Sequence, residues 1–409
     1  MAIVKAFRAV RFDPRKVSDP GRVIAPPWDS LDPDARRSTV DRDPSSVVRL
    51  LPESGPAATL GQWLESQLLE RASEPGLYPY IQEYTQGSRK RVARGFIALG
   101  RVEAPGAGSV FRLQEPDPCG SQPAPPHSPD ADLDPVLMLY SGAAGNADEL
   151  LAGAAAGDPF VEATDDAGAV HKIWAVTEPG VVSEVVRMME PARLVLASGE
   201  EAYSGALELA RGDGSAADYR MMTFASIDGD GPGVTPVHRV IHVADDFDFN
   251  HFFEALGSFF DVYPLYGPDA IQGLLDKATP GEVRIVTFIA KPRRCLLMVP
   301  KPGLPDYGEG RSEAWRKLDS AILHGVVLEH IVGLSKDKQA DPGWMAFTRG
   351  VEQCVGTLQG GGRYRIAFLV NPARAAQVRE ICLAGEPLPP RAVEFAPRQP
   401  VGLVMRERA

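Results

Sequence analysis

The 409-residue chain has little cysteine, and none of Cys119, Cys295, Cys354 and Cys382 stands at C-x-x-C spacing. That excludes a zinc knuckle and a compact disulfide framework, and it suits a reducing cytoplasm. Positive charge is also short. Against 54 aspartates and glutamates stand 43 lysines and arginines, for a net charge of −11. A chain without a basic footprint cannot displace counterions from a nucleic acid, so no nucleic-acid partner is expected. Long apolar runs are missing as well. No stretch approaches the roughly 18 uninterrupted apolar residues of a membrane-spanning helix. The start, Met1 to Arg8, reads as a strand rather than a signal peptide. The expectation is a cytoplasmic protein with no membrane partner and no internal repeat.

What remains is an ordinary folded composition, 44% hydrophobic and 24% charged, which excludes wholesale disorder. The length exceeds the roughly 250 to 300 residues at which single cores stop growing, so two domains are expected. Arginine over lysine and abundant alanine point to a GC-rich bacterial genome.

Patterning predicts an α/β (α+β) fold of mixed sheets with flanking helices, in two packed domains, 1–243 and 244–409. Val47–Leu51, Leu77–Ile81, Arg94–Leu99, Val136–Tyr140 and Val170–Val176 read as strands, with an amphipathic helix over Thr59–Ala72. Asp218–Ile227 and Val234–Val243 read as a hairpin closed by Asp228–Gly233. The stretch Glu115–Pro135 is rich in proline, serine and aspartate, which predicts an irregular linker. Beyond it, Phe249, Phe252, Phe253, Leu256, Phe259 and Phe260 mark the core face of one helix, and Trp315, Leu318, Ile322, Val326 and Ile331 that of another.

Some apparent motifs dissolve on inspection. Gly360-Gly361-Gly362-Arg363 lacks the G-K-[ST] of a phosphate loop and reads as a turn. Asp228-Gly229-Asp230-Gly231 lacks the later ligands of a calcium loop. His238 and His242, four apart, would sit about 13 Å apart on a strand and cannot pair on a metal, so no metal is expected. His324 and His330 fall on an amphipathic helix as packing or surface residues.

More specific are Ala25-Pro26-Pro27-Trp28-Asp29, Val47-Val48-Arg49-Leu50, Thr235-Pro236-Val237-His238-Arg239, Leu323-His324-Gly325-Val326-Val327-Leu328-Glu329, Phe368-Leu369-Val370-Asn371-Pro372 and Leu388-Pro389-Pro390-Arg391. In this order they resemble the bacterial and archaeal family known as domain of unknown function 1015, nearly end to end. Some members of that family are described as kinases of free serine that use pyrophosphate. Their D-G-H-H-R segment resembles a motif in serine kinases related to the ParB fold, which the resemblance extends to the N-terminal part here. This chain departs from the pattern where it matters. The segment Leu196-Ala197-Ser198-Gly199-Glu200-Glu201-Ala202-Tyr203-Ser204-Gly205-Ala206 stands where the family has A-D-G-H-H-R-Y-E-T-A, with Ser198, Glu200, Glu201 and Ala202 in place of the acid, both histidines and the arginine. The family's H-E pair survives as Gln114-Glu115, and its lysine as Arg391, followed by Ala392 and Val393 in place of two hydroxyls.

Two readings follow. One is a divergent small-molecule enzyme acting on a hydroxylated or amino-acid-like substrate, by altered phosphoryl or other group transfer. Its candidate catalytic residues are Glu115, Glu200, Glu201 and His238, and its candidate substrate contacts are Asp29, Arg49, Ser198, Gly199, Arg239 and Arg391. The other is a pseudoenzyme that kept the scaffold and serves a protein partner. No cofactor is named by the sequence. The plain alternatives are a solvated turn for Glu115, Glu200 and Glu201, a turn cap for Asp29 and a packed structural role for His238.

Overall fold

Apolar runs bounded by polar residues become strands throughout the computed structural model, which describes residues 1–51, 59–86, 89–116, 131–142, 147–266, 283–291 and 293–408. The side chain of Asp29 and residues 117–130 of the proline-rich stretch lie outside the described residues. The chain forms two units. One comprises Met1–Arg112, Gln122–Gly233 and Phe395–Ala409, the other Leu113–Ser121 and Val234–Glu394. The division thus falls at Gly233, where the sequence pattern places it at residue 243, and two short segments group with the unit on the other side of it.

The strands of the first unit are β1 (Val4–Lys5), β2 (Val10–Phe12), β3 (Leu69–Arg71), β4 (Tyr78–Gln86), β5 (Arg89–Arg101), β6 (Val110–Arg112), β7 (Ala131–Asp132), β8 (Val136–Ser141), β9 (Val161–Thr164), β10 (Val170–Ile173), β11 (Arg193–Ser198) and β12 (Tyr219–Ser226). Its helices are α1 (Pro33–Arg42), α2 (Leu60–Glu65), α3 (Ala147–Ala154), α4 (Pro179–Met189) and α5 (Glu200–Leu209). Among the described residues nine strands share a sheet ordered β6-β11-β8-β12-β5-β4-β10-β9, with β1 on β5. β6 runs parallel to β11, and β8 parallel to β12, while β11 and β8 are antiparallel. The sheet is therefore mixed, as expected. Leu151, Val185, Met189 and Tyr203 from α3, α4 and α5 pack with Met138, Tyr140 and Phe224 of the sheet, each such burial contributing roughly 1.5–3 kcal/mol.

Three elements in this unit and at its exit differ from the sequence pattern. Val47–Leu50 is a 3-10 turn, not a strand, with Val47, Val48 and Leu50 buried; a short apolar run does not distinguish the two by periodicity. The helix expected over Thr59–Ala72 starts on the Thr59/Gln62 capping box but stops at Glu65. Gln67 takes φ +57, Leu68 N donates to Trp63 O and Gln67 N to Leu64 O, which closes a Schellman motif and frees Leu69–Arg71 for β3. The expected hairpin also fails. β12 already has β5 and β8 on its two sides, so the chain leaves the sheet after Ser226 and passes through β13 (Gly233–Pro236) into the second unit.

That unit contains β14 (His238–His242), β15 (Phe260–Pro264), β16 (Ile285–Ile289), β17 (Arg294–Pro300), β18 (Met345–Thr348) and β19 (Tyr364–Leu369), joined antiparallel in the order β15-β17-β16-β19-β14-β18. Its helices are α6 (Phe249–Phe259), α7 (Glu313–Arg316), α8 (Asp319–Ile322), a π-helix (Leu323–Ile331), α9 (Lys336–Gln339), α10 (Val351–Gln359) and α11 (Ala375–Leu383). α6 forms, but it ends at Phe259, and Phe260, expected on its core face, is extended and opens β15 instead. Asp248 caps the helix, and Phe252 and Leu256 join Ile241, Ile289, Val326 and Phe368 in the core. The single helix expected around Trp315–Ile331 is broken, because Leu318 is extended (φ −75, ψ 134) and the chain must restart at Asp319.

β20 (Val393–Ala396) carries the chain back to the first unit, where β21 (Arg406–Glu407) pairs with β7. Asp132, fully buried, accepts from the guanidiniums of Arg220, Arg406 and Arg408 and from Met221 N at 3.0 Å, which pins the C-terminal residues to the sheet. Among the described residues no helix is long and apolar enough to cross a membrane.

Candidate functional site

The Leu196–Ala206 segment is a strand end, a glycine and a helix. β11 ends at Ser198, which is exposed, after a register shift against β8. Gly199 then turns the chain with φ +80, a conformation open to glycine, and becomes the N-cap of α5. A Cβ there would meet Val136 Cγ2 at 3.3 Å. Glu200 and Glu201 occupy the first turn of α5, where the N-terminal dipole favours carboxylates. This is helix, not the solvated turn of the plain alternative. Ala202 is buried in the core, so its position serves packing.

Glu200 is paired with Arg112, the last residue of β6. Leu196 of β11 stands opposite Arg112 in a parallel register, so both strands deliver their carboxyl ends to one place. Burial pushes the Glu200 carboxyl up, the Arg112 charge pulls it down and Glu201 pushes it up again, with a net rise. Nothing in the sequence pattern singled out Arg112, because 88 residues separate it from its partner.

The second unit holds the other candidates. Leu388 N donates to Leu113 O and Glu115 N to Leu388 O, so Glu115 lies beside the Leu388–Arg391 segment. Its carboxylate accepts from Arg311 Nη2, whose guanidinium sits 5.2 Å from the Trp315 ring centre. On the same segment, Arg239 Nη2 donates to Pro390 O at 3.0 Å and Arg391 O at 3.2 Å. Glu115, Arg239 and Arg391 are thereby brought to one stretch of chain. Arg391 takes φ +48, uncommon for a residue with a side chain, and the guanidiniums of Arg239 and Arg391 lie 5.2 and 5.1 Å from the Phe347 ring centre.

Arg239 is fully buried, with further bonds from Nη1 to Val237 O and from Nε to His324 Nε2. It is a strut rather than a ligand-facing group. His238 is buried too, and its Nδ1 accepts from Val370 N at 3.4 Å. Burial and the neighbouring Arg239 push its pKa down to about 4, so the ring is neutral and packed. His324, which the helical pattern places among packing or surface residues, is buried and hydrogen-bonded inside the unit, its pKa pushed down to about 3 by burial and by Arg239. Its place in the Leu323–Glu329 resemblance was the available signal.

Arg49 lies in the 3-10 turn. Its buried Nε finds no hydrogen-bond partner among the described residues, and Nη2 is 3.5 Å from Val40 O. Asp29 lies in a short 3-10 turn, Trp28–Ser30. Among the described residues no group of three or more histidine, cysteine, aspartate or glutamate side chains is placed to hold a metal ion.

The family model for the protein of unknown function DUF1015 matches residues 4–321. The chain belongs to the DUF1015 family. No curated protein matches it in sequence. Among solved structures it is similar to a conserved hypothetical protein from Pyrococcus furiosus, at 12% identity over 66% of this chain and 97% of that one, with a TM-score of 0.27. It is also similar to a free serine kinase in complex with AMP, at 15% identity over 72% of this chain and 98% of that one, with a TM-score of 0.28. In this DUF1015 member, the Ser198–Glu201 segment carries an arginine–glutamate pair, Arg112 with Glu200.

Proposed function

We propose that the protein is a divergent small-molecule enzyme that transfers a group to or from a hydroxylated or amino-acid-like substrate, with Ser198, Gly199, Glu200 and Glu201 at the substrate. The observation that carries this reading is the Arg112–Glu200 pair at the carboxyl ends of parallel β6 and β11, where open α/β sheets bind their ligands. A carboxyl raised by partial burial suits proton acceptance from a hydroxyl or ammonium group. Arg112 supplies a guanidinium for an anionic substrate group once Glu200 takes a proton. Cofactor and donor stay open.

The test is a panel of small alcohols and amino acids, incubated with ATP, ADP or pyrophosphate and magnesium, comparing the protein with Glu200→Gln. Product formation that falls at least tenfold in the variant supports the reading. Product formed equally by both removes Glu200 from it.

The second reading, a binding protein without turnover, is favoured by one observation. His238 and Arg239 are buried and committed to the fold. Saturable binding of a panel compound with no product from any donor would select it.

A further inference from the structure

β4 and β5 outrun their sheet. Pairing of β4 with β10 ends at Glu83 and pairing of β5 with β12 ends at Phe96, yet the two strands stay joined through Tyr84–Arg91, Thr85–Lys90 and Gln86–Arg89. These last pairs form a two-stranded ribbon that reaches about 10 Å past its neighbours, at roughly 3.4 Å per residue. It is braced at its base, where Tyr84 Oη accepts from Gly233 N at 3.2 Å and Arg94 pairs with Asp230 at 2.9 Å. A two-stranded ribbon has little stability of its own in water.

Arg89, Lys90, Arg91 and Val92 are all exposed, the valine at 44%. Alternation sends Arg89 and Arg91 to one face and Lys90 and Val92 to the other, so both faces meet solvent. Gln86, Thr85 and Tyr84 stand across the ribbon, none of them charged. Glu83, the carboxylate of β4, is held by Lys172 at 2.9 Å. Among the described residues no carboxylate lies within ion-pair distance of Arg89, Lys90 or Arg91. A single lysine is enough to guard an exposed edge. Three successive unneutralised cations, on a chain of net charge −11, go beyond that.

The edge of β5 is open as well. Arg94 N donates to Asp230 O at 2.6 Å, away from β4. Backbone groups alternate along an antiparallel strand, so those of Val92 and Lys90 point the same way. Among the described residues no strand lies on that side of them. Together these features select a partner. Guanidinium forks match carboxylates, unpaired backbone groups at alternate residues match an extended chain, and Val92 matches an apolar side chain opposite it. A nucleic acid fits less well, because Arg89–Val92 offers a base no aromatic ring to stack on and the acidic body repels a long polyanion.

We propose that the β4–β5 ribbon is a docking arm for an extended acidic segment of a partner protein. The segment adds as a strand to the free edge of β5, with carboxylates opposite Arg89 and Arg91 and an apolar residue opposite Val92.

The test uses the full chain and a short fluorescein-labelled peptide of alternating glutamate and valine. Saturable binding is expected, with slowed amide exchange at Lys90 and Val92. Arg89→Glu/Arg91→Glu should weaken it at least tenfold; both side chains are exposed, so neither change threatens the fold. The same peptide with a central proline, which cannot donate to a ladder, should also bind at least tenfold less tightly. The proposal is overturned by absent saturation, by an unweakened double variant, by equal binding of the proline peptide, by unchanged exchange at Lys90 and Val92, or by tighter binding of oligouridylate than of the peptide.

Discussion

Arg239 Nε donates to His324 Nε2 at 3.1 Å across 85 residues of sequence. The bond fixes the imidazole as the neutral tautomer protonated on Nδ1, which donates to Gln339 Oε1 at 2.6 Å; Gln339 Nε2 in turn donates to Leu334 O at 2.9 Å. One guanidinium thus ties β14, the π-helix and the Pro390–Arg391 turn together.

Replacing that guanidinium tests the strut. Arg239→Leu leaves His324 and the carbonyls of Pro390 and Arg391 short of donors, and should cost about 2–4 kcal/mol, since each buried group left unsatisfied costs about 1–3. Arg239→Lys keeps the charge but not the fork, and should recover less than half of that. Urea midpoints measure it. An unchanged midpoint for Arg239→Leu would remove the strut.

The pH dependence between 4 and 6.5 follows from four buried or largely buried groups, because Asp148 is pushed up to about 6 by burial just as Asp319 is. His238 and His324 titrate at about 4 and about 3 in the fold and near 6.5 when unfolded. Unfolding therefore takes up protons in that window, and their contribution to stability is lost as pH falls below about 6.5. Asp319 and Asp148 act in reverse. Burial pushes Asp319 up to about 6, against hydrogen bonds from Asn371, so its contribution, like that of Asp148, is complete below about 4 and lost as pH rises through 6. The two opposing trends should leave a shallow profile between pH 4 and 6.5. Asp319→Asn should steepen the acid loss by up to about 1.4 kcal/mol per pH unit, and His324→Gln should flatten it. Denaturation at stepped pH gives both slopes, and equal slopes in all three proteins would refute the assignment.

Most strands were legible because alternation and apolar runs report burial directly; β8 and β10 begin where the pattern puts them. The connections were not. Whether Val234–Val243 returns beside β12 depends on which strand edges are already taken, and that is decided by β5 and β8 far away in sequence. The same holds for the site. The types and positions of Glu115, Glu200 and Arg239 were readable, but their partners Arg311, Arg112 and His324 lie between 85 and 196 residues away. Sequence spacing does not register such pairs, and they turn apparent ligand groups into braced ones.

Gly199→Ala tests the turn into α5. A left-handed alanine costs roughly 1–2 kcal/mol, and its Cβ would also crowd Val136 at 3.3 Å. A fall in the urea midpoint of that size is expected, with Gly142→Ala as the comparison, since it has a positive φ but nothing within 4 Å of its Cβ. Equal losses at both sites would show that crowding by Val136 contributes nothing.

Asp132→Ala should be among the most damaging changes in the first unit. It strips three guanidiniums of a shared carboxylate in a site where Arg220 and Arg406 are buried, and breaking one side of a buried ion pair costs about 3–5 kcal/mol. Loss of the C-terminal strand should accompany it. Amide exchange at Arg406 and Glu407 that is unchanged from the parent protein would contradict the pinning.

Pyrophosphate-dependent phosphorylation of free serine should be absent. Phosphoryl transfer needs cations around the transferring group, and Glu200 and Glu201 stand where the resemblance to the family implies two histidines. At an effective dielectric near 20, a carboxylate 4 Å from a phosphate charge costs roughly 4 kcal/mol. Arg112 does not offset both, because Glu200 already occupies it. Restoring the histidines alone should not restore the activity either. Ala202, where the resemblance implies an arginine, is 2% exposed among core side chains and leaves no room for a guanidinium. The measurement is phosphoserine formed from serine, pyrophosphate and magnesium by the protein and by the Glu200→His/Glu201→His variant. Turnover on the order of 1 per second by the unaltered protein would mean that the acidic first turn of α5 does not face the phosphate, and that the substrate is held elsewhere in the fold.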